Sequence, residues 1–405
     1  MAAPRTFAGQ VSKAIKPTLL FYCEHARCPS DLARSWAIAG ALTSGFRVIF
    51  VNGGEPLDGV ASSPDIDVVT LPPVSRAAAG AEGRRRSGWL VPTEQASRAR
   101  LLLDTFFLNE PAVVFVELFP FGRATFTHEI LPMLEYAAAA RRRPLLVCSV
   151  PDPIAIGDRN RLYNNRAKQI ADDYFDVVLV HTDPRLATLE DTFKPRTPLR
   201  VPVAYTGLVA SGRSLGGPTP HRSGIVVSAG DGRTGAALFR AAIDAHVLCP
   251  PAERLPMRIV TGPLLPDHQD AALRLQAMGH PDVTFDRSAR ALRPLLASAA
   301  LSISQCGYDT AIDLLQARVP ALVVPCIESH EDEQRIRAVR LEALGAVRVV
   351  DPDLLTGPRL AIEILAASTF APAPVDLDVD GAHETVRVVA RMWPGGRLPR
   401  MASAS

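Results

Sequence analysis

The stretch from Leu301 to Asp351, LSISQCGYDTAIDLLQARVPALVVPCIESHEDEQRIRAVRLEALGAVRVVD, decides the fold. An apolar run ends at Ser304, the turn QCGYDT follows, and a helical pattern then runs up to Pro320, which opens a second β-rich run. An acidic loop leads from there into another helix. Strand, helix, strand, helix is the rhythm of a parallel sheet. A helix starting at this turn offers free N–H groups at its first residues, and Tyr308, Asp309 and Thr310 stand where such groups and a hydroxyl can receive phosphate oxygens. Gly307 would let an anion approach the backbone closely. Asp313, one turn further on, can accept hydrogen bonds from a ribose. The same residues also suit an ordinary capped helix with a solvated acid in its first turn.

Working outward, the same alternation recurs. TLLFYC, FRVIFVNGG, IDVVTL, AVVFVEL, PLLVCSV and DVVLVH are apolar runs in the first half, as expected of strands covered on both faces. The rhythm restarts at GIVVSAG and continues through MRIVTG, VTFDR, LSISQCG, ALVVPC and VRVVD. Between the halves, SGRSLGGPTPHRS has the Gly, Pro and Ser content of a linker, and PPVSRAAAGAEGRRRSGWLVP reads as a long loop within the first half. The expected organisation is an N-terminal extension over 1–17, a first doubly wound α/β domain over 18–207, a linker over 208–222 and a second over 223–375. A helix over 376–394 and a tail over 395–405 complete the chain. A cleft facing the carboxyl ends of both sheets is the expected ligand site.

Length and composition agree. With 405 residues, 47% of them hydrophobic, the chain exceeds what one core usually serves. A formal charge of +2 gives no general attraction to nucleic acid, and the basic runs Arg84–Arg86 and Arg141–Arg143 read as solvated loops or as local contacts to an anionic substrate or membrane surface. The six cysteines lack the spacing of a zinc site or a disulfide framework, which points to a reducing, cytoplasmic setting; no metal and no cofactor are expected. No apolar stretch is long enough to span a bilayer, so any membrane contact is expected to be peripheral.

One junction resists a simple reading. In FYCEHARCPSDLARSW, Phe21 to Trp36, a strand gives way to His25, Arg27, Cys28, Pro29, Ser30 and Asp31 before a helix begins. Turns of this kind often hold phosphates through glycines, and here there are none. Glu117 and Arg123, flanking LFPFG, stand at another strand end and are candidates to face the same cleft.

Ser304 to Val350 resembles the carboxyl-terminal domain of glycosyltransferase family 28, and more closely a bacterial group of glycosyltransferases with an S-x-G-Y-N-T motif, then G-V-P-A-L-V-V-P and an E-x-x-Q helix. The similarity extends through VELFPFGR, LVHTDPR, VPVAYTG and VVSAGDG. It implies the GT-B fold: two Rossmann-like domains, the second binding an activated sugar nucleotide and the first most of the acceptor. On that basis Gly307, Asp309 and Thr310 form the phosphate turn, with Ser228, Gly230 and Gly232 of SAGDGRTG facing the same diphosphate. Asp313 binds ribose, backbone groups at Phe285 and Asp286 read the base, and Glu333 and Gln334 contact the donor sugar. The final helix is expected to pack back onto the first domain.

The sequence departs from the family at HARCPSDL, where relatives carry a Gly-x-Gly-His turn. Cys28 and Ser30 replace the glycines and Asp31 the histidine, so Cys28 and Ser30 are expected on the acceptor side with Glu117 and Arg123. A carboxylate can take the acceptor proton in place of histidine, which makes Asp31 the first candidate base and His25 the second, although Asp31 equally suits an N-cap. Asp309 stands where relatives often have Asn, adding negative charge beside a diphosphate unless Arg233 or Arg287 balances it. The expected activity is an inverting, metal-independent transfer of a hexosyl group from a nucleoside diphosphate sugar to a small-molecule or lipid-linked acceptor. A nucleotide-sugar epimerase or hydrolase, or a nucleotide-sugar-binding protein without transfer chemistry, are the alternatives.

Overall fold

The computed structural model describes residues 16–25, 29–54, 64–74, 92–153, 160–210, 222–287, 292–326 and 333–395. The expected long loop between IDVVTL and AVVFVEL, most of the linker, Arg84–Arg86, and nearly all of both termini lie outside them.

The apolar runs form two separate parallel sheets. The first contains β1 (Thr18–Cys23), β2 (Arg47–Asn52), β3 (Ile66–Thr70), β4 (Val113–Glu117), β5 (Leu145–Val150), β6 (Val177–Val180) and β7 (Val203–Tyr205), in the order β3-β2-β1-β4-β5-β6-β7. The second contains β8 (Ile225–Ser228), β9 (Met257–Val260), β10 (Val283–Asp286), β11 (Leu301–Ser304), β12 (Ala321–Val323) and β13 (Arg348–Val349), in the order β10-β9-β8-β11-β12-β13. β7, a three-residue edge strand, is the element that the sequence pattern did not reveal.

Strands buried on both faces need helices on both faces. Along β1, Leu20 and Tyr22 enter one core while Leu19, Phe21 and Cys23 enter another. In-register pairing sets Phe21 opposite Phe50 and Phe115, and their rings stack across the sheet at 5.3 and 4.6 Å. Trp36 of α1 (Pro29–Leu42) covers Phe50 at 4.2 Å. On the other face, Arg98 of α2 (Pro92–Asn109) is fully buried, 2.7 Å from Glu129 of α3 (Thr127–Ala139) and 3.1 Å from Glu24. It also donates to Gly53 O and Pro72 O, both at 2.7 Å. One guanidinium thereby ties together the ends of β1, β2 and β3, which fixes where the chain leaves the sheet.

The chain crosses from the first sheet to the second near Leu208 and returns near Asp378. The two crossings run side by side: Leu208 N donates to Asp378 O (2.7 Å), Gly381 N donates to Leu208 O (3.1 Å), and Val209 bridges Asp380. Gly207, at φ 85°, allows this approach, since a Cβ there would come within 2.6 Å of Asp378. After the return, α11 (Gly381–Met392) lies against the first sheet's outer layer, where Val386 and Val389 share a core with Ile38, Leu42 and Phe46. No helix among the described residues is long and apolar enough to cross a membrane.

Candidate functional site

In each sheet the strand order reverses beside the first strand, between β1 and β4 and between β8 and β11. Side chains leaving the carboxyl ends at such switch points meet in an open crevice rather than in a packed core. The first sheet contributes α1, which follows β1, and Glu117, the last residue of β4. The second contributes α8 (Tyr308–Ala317), which follows β11.

Helix α1 begins at Pro29, a residue suited to the first helical position, so Asp31 lies inside the first turn and is not the N-cap. Residues three and four apart share a helix face, and Asp31, Arg34 and Ser35 use that spacing. Arg34 Nη2 is 2.7 Å from Asp31 Oδ1, and Arg123 Nη2 is 3.3 Å from Asp31 Oδ2. Ser35 donates to Glu117 Oε2 at 2.6 Å. Arg123 comes from the loop after β4, where Leu118 (φ 63°) and Arg123 itself (φ 56°) both adopt left-handed backbone conformations. Such conformations are costly for non-glycine residues and persist where the surroundings hold them.

Arg34 links the two halves. Only 3% exposed, it lies 4.8 Å above the Tyr308 ring. The Tyr308 hydroxyl donates to His181 O (2.9 Å) in the first domain and accepts from Val209 N (3.0 Å) at the crossing. A second buried guanidinium, Arg337 of α9 (Glu333–Ala343), binds Asp152 of the first domain and Cys306 O of the second. Arg340 reaches Asp191 at 2.7 Å and Leu186 O at 2.8 Å.

Burial opposes the charge of Arg34, yet Asp31, Tyr308, Glu117 and Asp309 outweigh that effect and keep it firmly protonated. The acids around it show the converse. Burial lifts Glu117 above the usual carboxylate range against the pull of Arg34. Burial also lifts Asp309 to about 6, with Arg34 pulling down and Asp313 and Asp31 pushing up. The neighbouring His181, bonded to Ser149 and Thr206 at 2.8 Å each, is driven down to about 3 by burial and Arg34, and so stays neutral.

The structure gathers Asp31, Glu117, Arg123, Gly307, Asp309 and Thr310 around the two helix starts, and corrects several expectations. His25 is fully buried, packed so closely under Gly54 that a Cβ there would meet its ring at 2.4 Å, and Asp31 is the more accessible of the two. Cys28 and the Ser30 side chain lie outside the described residues. The cations that act on Asp309 are Arg34 and Arg337, and the two predicted ones are engaged elsewhere: Arg233 pairs with Asp231 (3.3 Å) and Arg287 with Asp267 (2.7 Å). Gly307 has an ordinary φ of −63°, and among the described residues a Cβ there would meet only Thr310 Oγ1, at 3.9 Å. The packing of the described residues therefore does not require glycine at 307. Gly232 is the opposite case, at φ 92° with a Cβ only 2.1 Å from Thr261 O, while Gly230 (φ 57°) has open space around it among the described residues.

Other predicted contacts are already engaged. Asp313 holds Arg293 of α7 (Leu292–Ser298) at 2.8 Å through one carboxylate oxygen, Oδ1. Gln334 Oε1 accepts from Cys306 N and Cys326 N, both at 3.1 Å, so its carbonyl braces two strand-end loops and only its amide group is left to point elsewhere. Asp286 O accepts from Thr261 N (2.9 Å), and the Phe285 ring carries Arg274 at 4.8 Å. Both belong to the edge strand β10. Glu333 opens α9, and Ser228 ends β8 with its Oγ buried and without a hydrogen-bond partner among the described residues.

Sequence reasoning missed Arg34 and Arg337. The signal for Arg34 was the D-x-x-R spacing on α1, which also describes an ordinary solvated pair. A groove of about 880 Å³ lined by Phe107, Tyr136, Arg141, Arg142 and Trp393 lies at the amino ends of β4 and β5, at the opposite end of the strands from these groups.

Residues 232–375 match the model of the glycosyltransferase family 28 C-terminal domain. No curated protein matches the chain. Among solved structures it is similar to MurG of Acinetobacter baumannii (TM-score 0.60, 14% identity, 93% of this chain and 100% of that one). It is also similar to the calicheamicin glycosyltransferase CalG4 (TM-score 0.57, 16% identity, 93% of this chain and 94% of that one). A third is a UDP-glucosyltransferase from Polygonum tinctorium capable of glucosylating indoxyl (TM-score 0.59, 13% identity, 95% of this chain and 100% of that one). The architecture is the GT-B arrangement of two parallel-sheet α/β domains.

Proposed function

We propose that the chain transfers a glycosyl group from a nucleoside diphosphate sugar to an acceptor hydroxyl or similar nucleophile, by a single inverting displacement that needs no metal. The observation that carries this reading is the meeting of Asp31 on α1 and the start of α8 at the switch points of both sheets, with Arg34 between them. The family match over 232–375 and the nucleotide-sugar chemistry named for a structural neighbour support the donor half of the reading.

Displacement requires a base for the acceptor proton and a counter-charge for the departing nucleoside diphosphate. Asp31 is the base in this reading: as the acceptor oxygen bonds to the anomeric carbon and the carbon to phosphate-oxygen bond breaks, its carboxylate takes the hydroxyl proton. Arg34 and Arg123 orient that carboxylate. The leaving diphosphate is received by the first N–H groups of α8, with Thr310 and the space above Gly307, while Gly230 and Gly232 shape the facing turn. Asp313 binds ribose, Phe285 and Asp286 flank the base, and Glu333 with the Gln334 amide serves the sugar. The acceptor, a small molecule or a lipid-linked one, approaches from the side of Glu117 and Arg123.

The test combines binding and turnover. A panel of UDP- and dTDP-sugars is screened by thermal stabilisation, and product formation with the best donor is then followed in cell extract. Asp31→Asn is expected to slow transfer by about 10²- to 10⁴-fold with donor affinity nearly intact. Normal turnover in this variant would remove Asp31 as base, and consumption of the donor without any acceptor would indicate a hydrolase or epimerase.

A further inference from the structure

Asp309 presents a puzzle at a site meant for a diphosphate. It is the second residue of α8, in the turn where backbone N–H groups are free, and its Oδ1 is buried with no hydrogen-bond partner among the described residues. Two residues before it, Gly307 leaves space that none of the described residues fills. An ionised carboxylate here would set an acceptor against the acceptor oxygens of a phosphate. The nearby cations do not remove the conflict: Arg34 bonds Asp31 and lies on Tyr308, and Arg337 bonds Asp152 and Cys306 O. The remaining charged neighbours, Asp31 from α1 and Asp313 from α8 itself, add negative potential.

We propose that donor binding is coupled to proton uptake at Asp309, whose carboxylic acid form donates a hydrogen bond to a phosphate oxygen of the nucleoside diphosphate sugar. This rests on the donor-site reading given above. The ligand-free side chain is already poised for the role, because burial lifts its pKa to about 6, and an adjacent diphosphate dianion lifts it further by repulsion. No bond other than the hydrogen bond forms: a solvent proton joins the carboxylate as the donor enters and leaves as it departs. The charge at the site then falls by one negative unit at the moment the phosphates arrive. Above the free-enzyme value, each added pH unit removes about tenfold of the protonated form, and donor affinity falls with it.

The experiment measures binding of UDP-glucose and dTDP-glucose to the full chain by calorimetry from about pH 5.5 to about pH 8.5. The diphosphodiester of these probes keeps its charge throughout. Wild type is expected to weaken by up to about tenfold per pH unit above about pH 6, and to take up close to one proton in buffers of different ionisation heat. Asp309→Asn, whose amide donates at every pH, is expected to bind with nearly constant affinity and more tightly than wild type at the alkaline end. Wild-type affinity that is flat across the range, or no proton uptake, overturns the coupling while leaving the donor site in place. Absence of binding by both proteins at every pH overturns the donor-site reading and the coupling with it. The uptake measurement needs no variant, so it decides the matter even if Asp309→Asn fails to fold.

Discussion

Arg34 satisfies several carboxylates at once, and that concentration of duty makes it the most sensitive side chain of the cleft. Its removal would take that cation from the buried Glu117 and Asp309 and leave Asp31 with Arg123, and an uncompensated buried charge costs about 3–5 kcal/mol. The sign of the pH dependence follows from the raised values of Glu117 and Asp309. A carboxyl raised in the folded state favours folding below its unfolded value and loses that contribution as pH rises through its folded value, about 6 for Asp309. Arg34→Met is therefore expected to lose most stability at alkaline pH and clearly less near pH 5 in urea unfolding; equal losses at both would contradict the network. The address of Asp31 was legible in the sequence because a strand, a turn and a helix start define it. The role of Arg34 was not, since the ring that covers it, Tyr308, belongs to a helix far along the chain.

At the scale of elements, the parallel strands were readable because strands buried on both faces are nearly continuous apolar runs, as RVIFVN and LLVCSV show. β7 escaped because its three residues lie at a sheet edge, only half buried, and follow Pro202. The glycine-rich turns were visible as glycines, but not which glycine answers to the chain and which to a ligand. Gly232→Ala forces a side chain into Thr261 O at a positive φ, and should destabilise by on the order of 3 kcal/mol or more. Gly307→Ala should cost only about 1 kcal/mol, the difference between these residues as an N-cap, yet weaken nucleotide-sugar binding by filling the space above α8. Thermal melts and calorimetry on both variants check this, and unaltered donor affinity in Gly307→Ala would count against the proposed phosphate position.

Across the whole molecule, two doubly wound bodies are joined by a paired crossing and held by Arg337 with Asp152 and by Arg340 with Asp191. The two-body plan was legible from the restart of the strand rhythm at GIVVSAG; the buried ion pair across the cleft was not, because it depends on how the bodies meet. The return of α11 also carries a consequence for biosynthesis. One face of the first body's sheet is unfinished until Val386 and Val389 arrive, whereas the core around β8 and β9 in the second is complete once the helix Gly357–Ala367 has been made. The later-encoded body can thus close first on the ribosome, reversing the usual order of nascent domains. A chain stopped after residue 376 should keep slow amide exchange in β8, β9 and β11 while β1 and β2 exchange quickly, because Ile38, Leu42 and Phe46 have lost their cover.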